Sequence, residues 1–335
     1  MEIDKKSTID DIARFAKVSK STVSRVLNDT TPVANEKRKA VLAAVKKLDF
    51  KPNQFARGLA GGQSMTIGIV TQNIGSPFYD SVTSGVIKGL DATGYTPLIV
   101  DGQWDVDIEK AAVQTLLRRQ VDGLVIVGGS MTETDLEKIR SQRPTFMVAR
   151  ELDDWGGSCA FVNNYQAAYD LTQYLIEQGH REIAHITGIM RHQDAIKRYD
   201  GYAAALADCG IPLDNQRIFE GNFSGQSGIL AIETFLIRGA RFSAVFAAND
   251  EMAFGARLAL SRRNIRVPED VSLVGFDDQP LSAFMTPPLT TVAQPALEMG
   301  VAAAQAIVQR LKNKPFTLPV FPTRLVLRES VTRLR

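Results

Sequence analysis

The chain has 335 residues, room for two or three domains with full cores. Its 44% hydrophobic and 23% charged residues are ordinary for a soluble globular protein. No stretch approaches about 18 consecutive apolar residues, so no membrane span is expected, and the opening MEIDKKSTIDD lacks the apolar run of a signal peptide, which predicts a cytoplasmic protein. Cys159 and Cys209 lie far apart in no metal-ligand spacing and are expected to be packing residues rather than a disulfide. The near-neutral total of +2 hides an asymmetry. Residues 1–57 hold 13 Lys or Arg against 7 Asp or Glu, while the other 278 residues hold 26 against 30. A basic head on an acidic body is an electrostatic footprint for phosphate.

Residues 7–27 read STIDDIARFAKVSKSTVSRVL. Ile9, Ile12, Ala13 and Ala16 recur at helical spacing, and Val18-Ser19 interrupts them. A second short helix, Lys20–Leu27, turns Val23, Val26 and Leu27 inward and leaves Ser21, Thr22, Ser24 and Arg25 outward. Ser19 suits the N-cap of that helix, because its hydroxyl can accept from an orphan N–H of the first turn. Two short helices around a tight turn, the second bearing hydroxyls and a cation, predict a helix-turn-helix that lays its second helix in a DNA major groove. An ordinary helical hairpin is the plain alternative, and the basic head argues against it. A third helix is predicted from Asn35 to Leu48, capped by Asn35, with Val41, Leu42, Val45 and Leu48 inside. Pro52 breaks it, Asn53 caps a short helix over 54–60, and Gly61-Gly62-Gln63-Ser64 reads as a linker.

From Thr66 the texture changes. Apolar runs at 66–72, 96–102, 123–129, 145–150, 182–188, 244–249 and 272–277 alternate with helical segments such as 78–93, 107–119, 165–178, 198–209, 225–236 and 252–263. Uniformly apolar strands alternating with helices predict parallel sheets covered on both faces, and this many units suit two lobes better than one.

Ligands of open α/β sheets bind beyond the carboxyl ends of strands. The residues there include Gln72, Asn73, Asp101, Gln103, Ser130, Arg150, Thr187, Asn249, Asp250, Asp277 and Asp278. Carboxylates and amides can grip adjacent hydroxyls, and Arg offers a planar fork of donors. Phe78, Tyr79, Trp104 and Phe223 can add apolar faces. That chemistry suits a small polyhydroxylated ligand such as a sugar, and it also suits a purine. Capping the helix that follows is an equal alternative for Asn249 or Asp250, whereas Asp277 leads into a loop and its charge needs another use. No GxSxG elbow, phosphate loop, HExxH, CxxC or GxGxxG after a strand is present, so no enzyme is expected. No metal or cofactor is expected either, and His180 reads as a cation at a helix C-terminus.

These residues resemble the lactose-repressor/galactose-repressor (LacI/GalR) family of bacterial transcription regulators over essentially the whole chain. The resemblance rests on TIDDIARFAKVSKSTVSRVLN, KPNQFARGL, VNNYQAAYDLTQYLIEQGHREIAHITG, RYDGYAAAL, VFAANDEMAFGA, VPEDVSLVGFDD and PPLTTVAQP, in that order. It implies an all-α helix-turn-helix head plus an α/β two-lobed body like the periplasmic binding proteins. The expected boundaries are 1–52 for the head, 53–64 for a hinge helix and linker, and 65–335 for a ligand-binding and dimerisation body. Its first lobe would take about 65–162 and 293–322, its second about 163–292 and 323–335. The resemblance further implies that Lys20, Ser21 and Arg25 read bases, with Thr8, Ser19, Thr22, Ser24 and Asn28 beside the backbone. From the hinge, Asn53, Phe55, Ala56 and Leu59 would enter the minor groove, Leu59 as a wedge. Effector contacts would come from Asn73, Phe78, Tyr79, Asp101, Arg150, Arg198, Phe223, Asn249 and Asp277. Several members end a strand with an acid where this chain has Ala149-Arg150, a departure that bears on the ligand. The family's C-terminal tetramerisation heptads are missing, which predicts a homodimer on a pseudo-palindromic operator.

The expected function is therefore a repressor released by a sugar, a disaccharide, glycoside or sugar phosphate, of a carbohydrate-utilisation operon. The runner-up keeps the fold but has a purine-type corepressor that tightens DNA binding. A free-standing sugar-binding protein is disfavoured by the basic head, and an enzyme with an attached head by the absence of a catalytic constellation.

Overall fold

The computed structural model describes residues 7–28, 32–50 and 63–334. The chain forms two compact units, Met1–Ser64 and Met65–Arg335. Asn53, Phe55, Ala56 and Leu59 lie outside the described residues, as does the hinge helix they would form.

In the first unit, α1 (Ile9–Phe15), α2 (Lys20–Asn28) and α3 (Asn35–Lys47) enclose a small core of Ile12, Ala13, Val23, Val26, Val41 and Ala44. Thr8 caps α1 in a reciprocal box with Asp11: Asp11 N donates to Thr8 Oγ1 (3.4 Å) and Thr8 N to Asp11 Oδ2 (2.9 Å). Ser19 meets its expected role, accepting from the Thr22 N–H at 3.2 Å. Two expectations for α3 fail. Asn35 is its first helical residue and the N-cap is Ala34, with no side-chain bond. Leu42 is half exposed while Ala44 is fully buried. The space between three short helices takes a methyl group at that point, and the longer side chain is left outside.

The second unit has the expected two-lobed α/β body. A five-stranded parallel sheet has the order β2 (Thr96–Asp101), β1 (Thr66–Thr71), β3 (Gly123–Val127), β4 (Thr145–Val148) and β5 (Cys159–Ala160). A four-stranded parallel sheet has the order β7 (Ile218–Glu220), β6 (Ile183–Thr187), β8 (Ala244–Ala247) and β9 (Ser272–Val274). A two-stranded antiparallel pair, β10 (Thr291–Ala293) with β11 (Arg324–Val326), completes the strands. The chain crosses between lobes three times: after β5, after β10, and before β11, whose Leu325 rejoins the second-lobe core. The central strands are buried on both faces, as their apolar runs predict. β2 is the exception: it lies at a sheet edge and stays partly exposed.

The helices, numbered on, are α4 (Pro77–Leu90), α5 (Val106–Arg118), α6 (Glu133–Arg140), α7 (Asn164–Glu177), α8 (Gln193–Asp208), α9 (Gly225–Ile237), α10 (Asp250–Arg262) and α11 (Ala296–Leu311). α4 and α11 together cover one face of the first sheet. They approach backbone to backbone: a Cβ on Gly85 would fall on the Leu297 carbonyl, and one on Gly300 on the Val82 carbonyl.

His180 corrects another expectation. It is buried, its Nδ1 meets Ser243 Oγ (3.0 Å) and its Nε2 the Thr332 carbonyl (3.2 Å), and burial pushes its pKa down. It ties the C-terminal segment to the second lobe as a neutral ring rather than serving a helix dipole as a cation. Cys209 is exposed rather than packed, and both cysteines are free.

Candidate functional site: a recognition helix and an interlobe cleft

On the first unit, α2 presents Lys20, Ser21 and Arg25 to solvent, with Thr22 and Ser24 half-buried beside them. Ser19 Oγ lies 2.8 Å from both Ser21 Oγ and Thr22 Oγ1, so three hydroxyls gather at the start of the helix. Lys20 Nζ pairs with Asp10 Oδ1 at 2.7 Å, but both side chains are largely exposed and such a pair is worth little against a phosphate or a guanine. Asn28 closes α2. Thr8 is engaged in its capping box. A helix with a free cation in its middle and hydroxyls at its start can read base edges through Arg25 and anchor on phosphates through its first turn.

The body's candidate site lies where the carboxyl ends of the two sheets face each other. Arg198 projects from α8 and is buried among neutral partners. It donates from Nε to Asn164 Oδ1 (2.8 Å) and from Nη1 to the Ala248 carbonyl (2.5 Å), and its guanidinium lies 3.8 Å from the Phe276 ring centroid. Asp277 stands 3.9 Å from Arg198 Nη1 and accepts from Gln294 Nε2 at 2.7 Å. Burial pushes its pKa up to about 8, against the pull of Arg198. Asp277 sits at φ 119°, a backbone region that L residues rarely adopt. Its neighbour Asp278 turns away to pair with Arg328 at 2.6 Å.

Aromatic rings bridge the lobes. Trp104, just past β2, stacks on Phe223 of the second lobe and meets Tyr79 edge-on at 5.1 Å and His192 at 4.8 Å. Phe78 lies edge-on to Tyr79 at 5.3 Å. Burial raises the Tyr79 phenol well above its usual pKa, and the carboxylates of Asp194 and Asp277 raise it further. Arg191 Nη2 donates to the Trp104 carbonyl at 2.6 Å, and Glu151 N to Gln193 Oε1 at 3.0 Å, so hydrogen bonds also cross the cleft. A cavity of about 160 Å³ lies between the lobes, bounded by Arg150, Asn163, Asn164, Gln193, Asp194 and Lys197 among others.

The structure brings Phe78, Tyr79, Arg198, Phe223 and Asp277 together. The remaining expected contacts are committed elsewhere in part. Asn249 caps α10, accepting from Met252 N (3.0 Å), and donates from Nδ2 to the Phe223 carbonyl (2.9 Å), so it holds the backbone that carries the ring. Asp101 accepts from Ile74 N and Gln103 N and fixes two loops. Arg150 reaches the cavity wall, yet its Nη1 donates to the Met131 carbonyl at 2.8 Å. Asn73 is half-buried in the loop before α4.

Several residues of the site were not anticipated: Asn164 and Gln294, which orient Arg198 and Asp277, and Gln193, Asp194 and Lys197. Gln294 directly follows β10 and obeys the strand-end rule, but a three-residue strand leaves no clear apolar run in the sequence. Glu109 is a further buried carboxylate, accepting from Ser130 N (3.0 Å) and Met131 N (3.3 Å), with its pKa raised by burial. Among the described residues, no group of three or more His, Cys, Asp or Glu side chains could hold a metal ion, and no helix is long and apolar enough to cross a membrane.

Comparison with known proteins agrees with both halves of this description. Residues 8–53 match the bacterial regulatory proteins of the lacI family, and residues 172–331 match a periplasmic binding protein-like domain. The ribose operon repressor of Haemophilus influenzae is 34% identical over 98% of this chain and 100% of its own length. The transcriptional repressor PurR of Erwinia tasmaniensis is 33% identical over 97% of each chain. The crystal structure of the lac repressor dimer bound to operator and the anti-inducer ONPF superimposes with a TM-score of 0.88 at 28% identity, over 98% of this chain and 100% of that one. The chain belongs to the lacI family of bacterial regulatory proteins and is a DNA-binding transcriptional repressor of that family.

Proposed function

We propose that this repressor acts as a homodimer on a pseudo-palindromic operator and is released by a sugar or sugar derivative held between its lobes. The observation that carries the reading is the polar chain Asn164–Arg198–Asp277–Gln294 beside a cavity walled by amides and charges. A buried fork of donors, a carboxyl group and two amides together satisfy the mixed donors and acceptors of neighbouring hydroxyls. The ribose operon repressor among its relatives is in keeping with this. Arg150, Arg198, Asn249, Asp277 and Phe223 are the proposed contacts, with Asn73, Asp101, Phe78 and Tyr79 shaping the first-lobe wall.

Control of DNA by such a ligand requires that it prefer one arrangement of the lobes. On the DNA side, Lys20, Ser21 and Arg25 would specify and Thr8, Ser19, Thr22, Ser24 and Asn28 would position, with the hinge residues Asn53, Phe55, Ala56 and Leu59 in the minor groove.

A second reading has a specific observation in its favour. The ring group Tyr79, Trp104 and Phe223 offers stacking faces for a flat heterocycle, and PurR proteins are among the relatives. That reading makes the ligand a purine corepressor.

Fluorescence anisotropy of the protein on its own upstream DNA, titrated with sugars, sugar phosphates and purines, separates the two. Release by a sugar, lost in Arg198→Ala, is the expected result. Tightening by a purine moves the second reading into first place, and a DNA affinity indifferent to every compound would refute effector control by either class.

A further inference from the structure

β4 connects two cavities. Its carboxyl end leads to Ala149 and Arg150 in the cleft, while its first residue, Thr145, lines a second cavity of about 220 Å³ at the opposite edge of the first-lobe sheet. Three arginines line this second cavity: Arg140 from the end of α6, Arg143 from the following loop, and Arg310 from the last turn of α11. Its walls also include Ser141, Thr145 and Ser158. No Asp or Glu lines it.

The charges are unequally compensated. Arg140 donates to Glu137 Oε1 at 3.0 Å and lies over the Trp155 ring, and a place in the last turn of a helix suits it. Arg143 has only neutral partners: Nε donates to the Val121 carbonyl (3.0 Å) and Nη1 to the Gln142 carbonyl (2.9 Å). Those two bonds fix the plane of the guanidinium and leave Nη2 available. Among the described residues Arg310 has no carboxylate within ion-pair distance. Ser141 Oγ and Thr145 Oγ1 already donate to backbone carbonyls, so the donors left for an anion are the guanidinium N–H groups and the Ser158 hydroxyl. Like charges gathered around a concave space repel one another unless an anion enters it. A fixed guanidinium fork matches the oxygens of phosphate, and a concave site of this size suits a small molecule rather than a flat macromolecular surface.

We propose that this cavity is a second ligand site, separate from the cleft, for inorganic phosphate or a small phosphate monoester. Arg143 and Arg310 hold the phosphoryl oxygens, and Ser158 contributes a hydroxyl. The four residues of β4 span about 13 Å, so an anion here would sit one strand length from the effector wall at Arg150.

The test is calorimetric titration of the full chain with inorganic phosphate, and then with glycerol phosphate, against chloride at matched ionic strength. The expected result is a single phosphate site weakened at least fivefold in Arg310→Ala and in Arg143→Ala. Arg25→Ala on the DNA-binding helix and Arg150→Ala in the cleft should leave it unchanged. Competition by glycerol phosphate shows that the site admits an ester; its absence restricts the ligand to free phosphate. Because Arg143 ties loops together, the exposed Arg310 is the deciding position. The proposal is overturned by unaltered affinity in Arg310→Ala, by loss confined to Arg25→Ala or Arg150→Ala, or by no binding to the unaltered chain.

Discussion

Trp104 of the first lobe stacks on Phe223 of the second, with ring centroids 5.5 Å apart and planes at 19°. Both residues hold left-handed backbone, φ 58° and 65°, and the Phe223 ring fills the space where a Cβ on Gly188 would sit. Such conformations cost about 1–3 kcal/mol each and persist only where the surroundings enforce them. The stack is therefore built, and it fastens one lobe to the other. Trp104→Ala should lower stability by about 1–3 kcal/mol, since the indole is only partly buried and an aromatic pair adds roughly 1 kcal/mol to its burial. It should also let the lobes separate, seen as a larger radius of gyration in small-angle scattering. An unchanged scattering curve and urea midpoint would show that the ring contact fastens nothing.

Asp277 supplies a pH prediction. Burial raises its folded-state pKa to about 8, above its unfolded value, so the carboxyl is favoured in its protonated form inside the protein. Its contribution is fully present below about pH 4 and is lost as pH rises through 8. Asp277→Asn should therefore stabilise the protein at pH 8.5 relative to pH 5.5, by on the order of 1–3 kcal/mol. His185 works in the opposite sense: fully buried, with its pKa pushed down to about 4, it costs stability as pH falls from about 6.5 towards 4. Melting temperatures of both proteins across this range test the sign; a larger gain for the variant at pH 5.5 would contradict it.

Much of this molecule was readable in its sequence. The hydroxyl-rich second helix and the buried strands of both sheets followed from apolar spacing alone. Elements whose sequence lacks a distinctive period were not: β5, β7, β10 and β11 are two or three residues long, and α6 carries only Leu136 and Ile139 inward. In the cleft, the strand-end rule pointed to Asp277 and residue chemistry to Phe223, while Arg198 came only from the family resemblance, and neither foretold that Asn249 would spend both polar atoms on its own chain. Nor could spacing reveal Asn164 and Gln294, because their partners lie 34 and 17 residues away in sequence and meet them only in the folded chain.

Arg25 tests the reading of the head. It is an exposed cation in the middle of α2 and has the reach for guanine O6 and N7. Arg25→Ala should cost about 1–3 kcal/mol on the operator and much less on unrelated DNA, so that discrimination falls rather than affinity alone. Lys20→Ala serves as a comparison, since breaking its surface pair with Asp10 should not disturb the fold. Equal losses on specific and unrelated DNA in Arg25→Ala would assign that side chain to the phosphate backbone.

Gly300 tests the packing that supports the first lobe. It lies in α11 where the Val82 carbonyl of α4 leaves no room for a Cβ, and Gly85 of α4 meets Leu297 of α11 in the same way. Gly300→Val would force two helices apart over a core that includes Val82, Val86, Met299 and Ala303. Overpacking of this kind costs about 1–3 kcal/mol, more where the obstacle is backbone, while the gain in helix propensity over Gly is a few tenths of a kcal/mol. The urea midpoint of the body should fall accordingly. The DNA-binding unit has its own core of Ile12, Val23, Val41 and Ala44, so the helical signal of its unfolding should be unaltered. A valine tolerated without loss would mean that α4 and α11 slide past each other, and that the close approach of their backbones is not what fixes the wall on which Phe78 and Tyr79 stand.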